Sequence, residues 1–519
     1  MTIPNAPRHV KGWKDRISDA EDEQPFPPGQ VREMFMLGLT YRPGFPLNSS
    51  ELSGLVHIPP TSIFECRRIE IKTLETLSVM SDELRTGCLI GTCDCAGVPQ
   101  PVCIPERLRF CSVHYIGRMG SGKSTLMENN IDQDIREGSG LALLDPHGDL
   151  VEQVLRRIPA ERVGRAIYFD PAGPHYVPLW NPPQCPGVED RGRIADDLVA
   201  AIKNVVEGWG DRLENLLRYA FPGLLSVPDA TLQDVADLLR RKSHEGETLR
   251  KRVLALAENE SARKFWKEDF DACQKSELTP PQHKLSKLLA SGTYAEMLSQ
   301  PQSLIDFWQV MDEGKILLVD LSRLGSETRD ILGCFILSVL HVTALSRSAI
   351  APEQRKPFHI YCDEAHRFAT DSLEDLLTEA RKHKVGLTLA HQYMSQFTTR
   401  KRDALSSVGA TVIFNVDTKD ANHIRKDLQD KVVVSDLISL KTGEAIARIG
   451  TEIVRFKTLP PLEAPEKRFR EQIIAESRRR YYRPLAELRA MKQRRAQNML
   501  EPLARLPGFD GKEPHYDEL

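Results

Sequence analysis

One short segment constrains the fold of this chain more than any other part of its sequence. Residues Gly117–Ser124 have the pattern Gly-x4-Gly-Lys-Ser, with an apolar run, Val113–Ile116, before it and a helix-compatible run after it. In this pattern glycines let backbone N–H groups close around phosphate oxygens, and the following helix N-terminus adds positive potential. The segment therefore predicts a strand, a phosphate-binding loop and a helix, which together bind a nucleoside triphosphate.

The side chains of this loop have separate predicted roles. Lys123 would reach the β- and γ-phosphates, and the Ser124 hydroxyl would bind Mg²⁺. The residues predicted to surround the nucleotide are Gly117, Arg118, Met119, Gly120, Ser121, Gly122, Lys123, Ser124 and Thr125. The predicted cofactors are therefore ATP and Mg²⁺.

Short apolar runs recur along the chain and predict a sheet. Each run is followed by turn residues or by a helical stretch, and the runs are Val113–Ile116, Leu141–Leu144, Ala166–Phe169, Ile316–Val319, Phe358–Tyr361, Leu387–Leu389 and Thr411–Phe414. Near-continuous apolar strands that alternate with helices are typical of a parallel sheet covered on both faces. The sequence therefore predicts an α/β fold with a mainly parallel sheet.

Segments of different character interrupt and flank this sheet pattern. The long stretch 187–306 has helical periodicity and predicts an all-helical insertion, because a loop of that length is uncommon in a compact domain. We also expect a polar segment at 1–32 and a small α/β or β domain at 33–111. The ATPase domain would then be formed by 112–186 and 307–459, with a linker and basic C-terminal helix or tail at 460–519.

The composition limits the classes of function. A net charge of −3 gives the chain no overall attraction to nucleic acid or anionic membranes, so any basic surface must be local. No run approaches the roughly 20 consecutive apolar residues of a membrane span, and the polar N-terminus lacks the apolar core of a secretion signal. We therefore expect a cytoplasmic chain with reduced thiols, which partners could recruit to a membrane.

Six of the ten cysteines lie in one stretch that precedes the phosphate-binding loop. They are Cys66, Cys88, Cys93, Cys95, Cys103 and Cys111. Their spacing lacks the paired Cys-x2-Cys units of zinc sites. This pattern favours thiols buried in strands over a metal site, without deciding between them.

The apolar run Phe358–Cys362 ends in two acids, Asp363 and Glu364. In a sheet that carries a phosphate-binding loop, Asp363 would hold Mg²⁺ through water and Glu364 would polarise the water that attacks the γ-phosphate. Without the loop, such a pair could be a cap or a solvated turn. With it, the pair favours hydrolysis over a small-molecule kinase or transferase, which needs an acceptor site instead.

Three further sites have less specific signals. Gln392 follows the short strand Leu387–Leu389 and could contact the γ-phosphate or its water. Arg381 either stabilises a helix C-terminus or neutralises transition-state charge, in the latter case from an adjacent subunit. The segment Asp145–Asp149 either contacts the metal shell or the nucleotide through Asp145 or His147, or forms a turn with a helix cap at Asp149.

The basic tract Arg478–Arg483, which continues to Arg495, also has two interpretations. Arginine and tyrosine side chains together suit phosphate contacts and base stacking. The tract could instead form a solvated helix that packs on an acidic surface of a neighbouring subunit.

Together these motifs resemble a known superfamily. They occur in the order phosphate-binding loop, DPHGDL at Asp145–Leu150, IYCDEAHRFAT at Ile360–Thr370, EARKHKVGLTLAHQY at Glu379–Tyr393 and ESRRRYYRP at Glu476–Pro484. This series resembles the HerA–FtsK superfamily of DNA-pumping ATPases, and within it the TraG/TraD-type coupling proteins of conjugation and type IV secretion. Further matches extend the resemblance over most of the chain: LNSSELSGLVHIPP at Leu47–Pro60, EGKILLVDLS at Glu313–Ser322 and LPPLEAP at Leu459–Pro465.

The resemblance implies a RecA-like motor domain and a ring of six subunits, with DNA in the central channel and nucleotide between subunits. It places Lys123 and Ser124 at the phosphates and Mg²⁺, and Asp363 and Glu364 as the acidic pair. It further implies Gln392 as a sensor and Arg381 as the candidate arginine finger.

The predicted function is an ATP-hydrolysing, DNA-stimulated translocase or coupling-type motor in conjugation, secretion, a mobile element or defence. Its partners would be DNA, further copies of the chain, and a relaxase, secretion channel or nuclease. The chain departs from membrane-bound coupling proteins because no transmembrane helices are predicted in its sequence. A second hypothesis, an assembly or recruitment ATPase that docks protein substrates without tracking DNA, uses the same ATP site.

Overall fold

The computed structural model describes residues 81–95, 98–184, 191–206, 209–289, 292–370 and 373–500. The predicted polar segment 1–32, most of the predicted domain 33–111, the segment Leu47–Pro60 and Cys66 lie outside these residues. So does the end of the C-terminal tail.

Thirteen strands form two sheets in the described part of the chain. They are β1 Cys88–Cys95, β2 Val98–Ile104, β3 Val113–Ile116, β4 Gly140–Asp145, β5 Ala166–Phe169, β6 Tyr176–Pro178, β7 Ile316–Asp320, β8 Phe358–Cys362, β9 Val385–His391, β10 Ala410–Ile413, β11 Glu444–Ile449, β12 Glu452–Thr458 and β13 Tyr482–Pro484. The large sheet has eleven strands in the order β2-β1-β12-β11-β10-β3-β9-β8-β4-β7-β5, and β6 pairs with β13.

Seven neighbouring strands of the large sheet, from β10 to β5, run parallel. Every residue of β3, β4, β8 and β9 is buried. Strands covered on both faces need apolar side chains at most positions, which explains the continuous apolar runs in the sequence. The prediction of an α/β fold with a RecA-like, mainly parallel sheet is confirmed.

The remaining strands extend this sheet in antiparallel fashion. β11 pairs with β10, β12 with β11, β1 with β12 and β2 with β1. Ile90 and Val102 of these strands are buried in the same apolar cluster as Tyr115 and Leu126. The described part of the predicted domain 33–111 therefore contributes strands to the sheet that carries the phosphate-binding loop.

Helices cover both faces of the sheet. In chain order they are α1 Glu106–Arg109, α2 Lys123–Glu137, α3 Asp149–Arg157, α4 Arg191–Val205, α5 Asp211–Leu225, α6 Asp234–Leu238, α7 His244–Leu256, α8 Glu260–Lys264, α9 Lys275–Leu289, α10 Thr293–Leu298, α11 Phe307–Asp312, α12 Ser326–Ser346, α13 Leu373–Glu379, α14 Thr399–Ser406, α15 Thr418–Asp427, α16 Val434–Ile438, α17 Arg470–Tyr481 and α18 Leu485–Leu500.

Strand β4 shows how the two faces are divided. Leu141 and Leu143 pack in the cluster that includes residues of α2 and α3, whereas Ala142 and Leu144 pack in the cluster that includes α4, α5 and α12. Side chains alternate across a strand, so one apolar run supplies both cores. The described residues between β6 and β7 form helices and connecting segments, with no strand among them.

Helix α12 is long and apolar enough to cross a membrane by length and composition. In the structure, 83% of its most apolar stretch is buried. Phe335 and Leu340 are fully buried in the core that α4 also lines. A helix that is apolar on all sides can be a core helix, and this position accounts for its composition.

The basic C-terminal tract packs on its own chain. Ile473 of α17 is buried, and the Ser477 hydroxyl accepts a hydrogen bond from the backbone N–H of Tyr168 on β5. The buried Tyr482 hydroxyl donates to the Tyr168 carbonyl and accepts from the N–H of Asp170. Tyr482 is therefore not available for base stacking, and the Ile473 face of α17 is covered by its own chain, whereas Arg478, Arg479 and Arg480 stay exposed. Helical periodicity shows that a face is apolar but not which surface covers it.

Candidate functional site

The phosphate-binding loop connects β3 to α2, and its glycines are required by the backbone. Gly120 has φ +74° and Gly122 has φ +116°, both in the region that favours glycine. A Cβ atom at Gly117 would lie 2.5 Å from the Cβ of Phe414. The backbone conformation therefore favours glycine at Gly120 and Gly122, and the lack of room for a Cβ atom favours it at Gly117.

Lys123 is buried at the first position of α2. Its Nζ donates to the carbonyl oxygens of Gly117, at 2.5 Å, and Arg118, at 3.1 Å. Burial lowers the pKa of Lys123, and the charges of Asp363 and Glu364 act in the opposite direction. A partly desolvated ammonium beside the loop is suited to bind a phosphate anion in place of the two carbonyls.

The other loop side chains differ in exposure. Arg118, Ser124 and Met119 are exposed, the last with 83% of its surface, whereas Ser121 is buried. The exposed hydroxyl of Ser124 at the helix N-terminus can reach a metal ion.

Residues distant in the sequence form hydrogen bonds with the backbone of the phosphate-binding loop. The N–H of Gly443 donates to the Ser121 carbonyl at 3.1 Å, and the N–H of Arg118 donates to the Asn415 carbonyl at 2.8 Å. The Thr442 hydroxyl donates to the Gly120 carbonyl at 3.4 Å. These supports use backbone atoms for the most part, so no motif in the sequence identified them.

Asp363 and Glu364 follow the carboxyl end of β8, and the phosphate-binding loop follows the carboxyl end of the parallel strand β3. β9 separates β3 from β8, so Asp363, after β8, lies two strands from the loop strand. Burial raises the pKa of Asp363 to about 6, and the charges of Asp145 and Glu364 act in the same direction. Glu364 is 8% exposed, has φ +47°, and its N–H donates to Oδ1 of Asp363.

The residues predicted to hold Mg²⁺ fit that ion chemically. A serine hydroxyl and a carboxylate are hard oxygen ligands, and Mg²⁺ is commonly held by one or two protein oxygens, phosphates and water. Burial and the neighbouring charges of Asp145 and Glu364 disfavour the negative charge of Asp363, and a bound cation would favour it. Among the described residues, no group of three or more His, Cys, Asp or Glu side chains could hold a metal ion.

Gln392 follows β9, between the loop strand and the acid strand. Its Nε2 donates to Oε1 of Glu364 at 2.7 Å. Its backbone N–H donates to Oε1 of Gln396 at 3.0 Å. The structure thus brings the predicted sensor directly onto the predicted base, a contact that strand order alone could not reveal.

Asp145 is a helix cap. Its buried carboxylate accepts from the N–H groups of His147, Leu150 and Val151 at 2.8 to 3.0 Å. The predicted turn and cap are therefore present, but the capping carboxylate belongs to Asp145 rather than to Asp149. Asp145 still acts on the site through its charge, which raises the pKa of Asp363.

Arg381 lies near the amino-terminal end of β9, whereas the phosphate-binding loop lies at the carboxyl ends of the strands. It is exposed in the 3-10 turn Ala380–His383, which precedes β9, whereas Gln392 follows β9. A strand of seven residues spans about 20 Å. Arg381 therefore does not reach the nucleotide site of its own chain.

The described cysteines of the N-terminal stretch lie mainly in strands. Cys88, Cys93 and Cys103 are buried on β1 and β2, and Cys111 is half-buried. Burial raises the pKa of Cys88 to about 12 and also raises that of Cys103. Buried positions on strands are those of packed core thiols, the interpretation that the spacing favoured.

No protein-family model matches the sequence, and no curated protein matches it closely enough to count as a relative. Solved structures do match. The plasmid coupling protein TrwB in complex with ADP and Mg²⁺ is 16% identical with a TM-score of 0.55, over 78% of this chain and 95% of that one. The unbound bacterial conjugative coupling protein TrwBdeltaN70 is 15% identical with a TM-score of 0.55, over 76% and 93%.

VirB4 of Thermoanaerobacter pseudethanolicus is similar as well. It is 14% identical with a TM-score of 0.53, over 74% of this chain and 98% of that one. The matches thus span nearly the whole length of both neighbours. The chain therefore has the fold that the conjugative coupling protein TrwB shares with VirB4.

Proposed function

We propose that this chain is a P-loop ATPase of the HerA–FtsK superfamily that moves DNA through a ring, as a coupling-type motor. The observation that carries the proposal is the group formed by Lys123, Asp363, Glu364 and Gln392. All four lie at the carboxyl edge of neighbouring parallel strands, the location of ligand sites in open α/β sheets. The fold of TrwB, which has been solved with ADP and Mg²⁺, supports the same assignment.

Each residue has a chemical role in ATP hydrolysis. Lys123 leaves the loop carbonyls for the phosphate oxygens and offsets their charge. Ser124 and Asp363 hold Mg²⁺, Asp363 through water. Glu364 accepts a proton from the attacking water, since its buried carboxylate lies beside the phosphate-binding loop.

Gln392 and Arg381 connect hydrolysis to movement. Gln392 exchanges its bond with Glu364 for one with the γ-phosphate and so senses the nucleotide state. Arg381 acts on the site of a neighbouring copy, because the length of β9 keeps it away from its own site. This arrangement requires an adjacent copy of the chain, and on the motif resemblance we propose a ring of six subunits with the nucleotide between them.

The DNA-moving part of the proposal rests on the shared fold and on the motif resemblance. We place the motor in the cytoplasm, in conjugation, secretion, a mobile element or defence, with recruitment to the membrane by partners such as a secretion channel, relaxase or nuclease. The alternative is a recruitment ATPase that docks protein substrates. The net charge of −3 favours that alternative, because it gives the chain no overall attraction to DNA.

The test compares Lys123→Ala with Lys467→Ala, which removes an exposed lysine from the C-terminal segment. ATP hydrolysis and binding of a fluorescent ATP analogue are measured with and without single- and double-stranded DNA at low salt. We expect hydrolysis by the wild type and by Lys467→Ala, stimulation by DNA, and no turnover by Lys123→Ala. Normal turnover by Lys123→Ala would overturn the site, and a rate unaffected by either DNA would favour the recruitment ATPase.

A further inference from the structure

Four side chains close a ring of polar contacts around the proposed base. Gln392 donates to Oε1 of Glu364, and Nδ1 of His366 lies 3.4 Å from Oε2 of the same carboxylate. Nε2 of His366 lies 3.2 Å from Nε2 of Gln396. Oε1 of Gln396 closes the ring by accepting from the N–H groups of Gln392 and Tyr393, at 3.0 and 3.1 Å.

The ring determines the tautomer of His366. Two backbone N–H groups fix the oxygen of Gln396, so its amide nitrogen must face the imidazole. An amide nitrogen only donates, and therefore Nε2 of His366 is the acceptor. A neutral imidazole with a lone pair on Nε2 carries its hydrogen on Nδ1, which faces Oε2 of Glu364.

The neutral form is also favoured by the surroundings of His366. Burial lowers the pKa of His366, the charges of Glu364 and Asp330 raise it, and the charge of Arg367 lowers it, with a net decrease. The contact between Nδ1 and Glu364 is not a completed hydrogen bond in this conformation. A small movement of the carboxylate towards His366 would complete it.

We propose that His366 is a positioning residue, which holds Glu364 when the amide of Gln392 turns to the γ-phosphate. This proposal rests on the proposed ATPase function. Gln396 fixes the position of His366 relative to Gln392, because its side chain binds the backbone N–H of Gln392 and the imidazole of His366 at once. The side chain of Gln392 can then leave without movement of the strand end.

The backbone of Glu364 explains why a second holding contact is needed. Its φ of +47° is unusual for a residue with a side chain, and such conformations persist where the surroundings hold them. If the Gln392 bond were the sole contact, its exchange would release the base at the moment of reaction. A hydrogen bond from His366 holds the carboxylate of Glu364 while Gln392 leaves it.

The test uses two replacements that each keep half of the imidazole's contacts. His366→Asn places an amide nitrogen near the Nδ1 position and can still donate to Glu364. His366→Gln reaches towards Gln396 and leaves the Nδ1 position empty. His366→Ala removes both contacts, and His244→Ala, in the exposed start of α7, is the matched control.

The kcat for ATP and the Kd for a fluorescent ATP analogue are measured for each full-length variant. We expect His366→Ala and His366→Gln to lower kcat about tenfold, since misplacement of a reacting group is costly, with Kd within about twofold. His366→Asn should recover kcat to within about threefold of the wild type. Gln396→Ala should lower kcat as well, with nucleotide still bound.

Several results would overturn the proposal. These are an unchanged kcat in His366→Ala, equal losses in His366→Asn and His366→Gln, or a weakened Kd that accounts for the loss. An active wild type with any of these results would leave the ATPase assignment standing. A wild type that hydrolyses no ATP would overturn the ATPase assignment, and this proposal with it.

Discussion

The amide of Gln392 donates a 2.7 Å hydrogen bond to the carboxylate of Glu364. The two residues follow neighbouring parallel strands, β9 and β8, and only the folded sheet brings them together. The contact therefore joins the chemistry of hydrolysis to the strand that lies beside the phosphate-binding loop.

Replacing Glu364 with Gln should separate binding from hydrolysis. Glutamine retains an oxygen that can accept from Gln392, so the site should stay assembled while the proton acceptor is lost. We expect kcat to fall by about 10²- to 10⁴-fold, with ATP affinity within a few-fold. The matched control is Glu379→Gln, an exposed acid at the end of α13. Loss of ATP binding in Glu364→Gln would show that its role is structural.

Arg381 should act between copies. We expect Arg381→Ala to bind ATP and to lose at least about tenfold in hydrolysis, because a finger arginine stabilises transition-state charge. Mixing it with Glu364→Gln should restore part of the activity, since one interface then contains an intact base and an intact arginine. Lys382→Ala, an exposed neighbour, should remain active. If the mixture stays as inactive as its components, the arginine does not act in trans.

The raised pKa of Asp363 gives a prediction for stability. Its pKa is about 6 in the fold against 3.8 for the ordinary carboxyl, so the unfolded chain binds fewer protons between these values and stability falls as pH rises through them. Asp363→Asn should therefore stabilise the protein by about 1–3 kcal/mol at pH 8 and change little near pH 3.5. The urea midpoint measured at both pH values tests this, and an equal effect at the two would contradict the assigned ionisation.

The buried ion pair between Arg109 and Asp134 should contribute to the free energy of unfolding rather than to catalysis. Arg109 makes two 2.8 Å hydrogen bonds with Asp134, and Tyr361 donates to the same carboxylate. Asp134→Ala would take the two-bond partner from a buried guanidinium and leave it the 3.3 Å contact with Glu106 and the Tyr361 hydroxyl, at a cost of about 3–5 kcal/mol. Tyr361→Phe should cost about 1–3 kcal/mol, because it removes hydrogen bonds to charged groups. Urea unfolding measures both changes, and similar midpoints for the two variants would contradict the account.

The pH dependence of this ion pair has the opposite sign from that of Asp363. Burial acts to raise the pKa of Asp134, but the charges of Arg109 and His359 and the hydrogen bonds lower it overall. Its contribution to stability is therefore present above the unfolded pKa and lost as the pH falls through the folded one. Asp134→Asn should accordingly flatten the acid limb of the stability curve.

The parallel part of the fold was predictable from sequence because its strands are apolar on both faces. Every run that we expected became a strand, from β3 to β10. The extension by β11, β12, β1 and β2 was not predictable, because pairing in register depends on partners that are distant in the chain. The packing of α17 on β5 was missed for a similar reason, since periodicity identifies an apolar face but not its partner.

Within the candidate site, motifs identified residues but not their contacts. Lys123, Asp363 and Glu364 could be selected because their chemistry is tied to a known spacing. His366 lies in the quoted IYCDEAHRFAT segment, yet nothing in that spacing indicated its approach to Glu364. Gly443 and Asn415 support the loop through backbone atoms, which leave no signature in the side-chain sequence.

The central claim, a motor that moves along DNA, is tested most directly by displacement of a third strand from a DNA triplex. The full-length protein is mixed with a labelled triplex and ATP, and release of the label is followed over time. The account predicts ATP-dependent release by the wild type and none by Glu364→Gln. Rapid ATP hydrolysis without release of the third strand would contradict it.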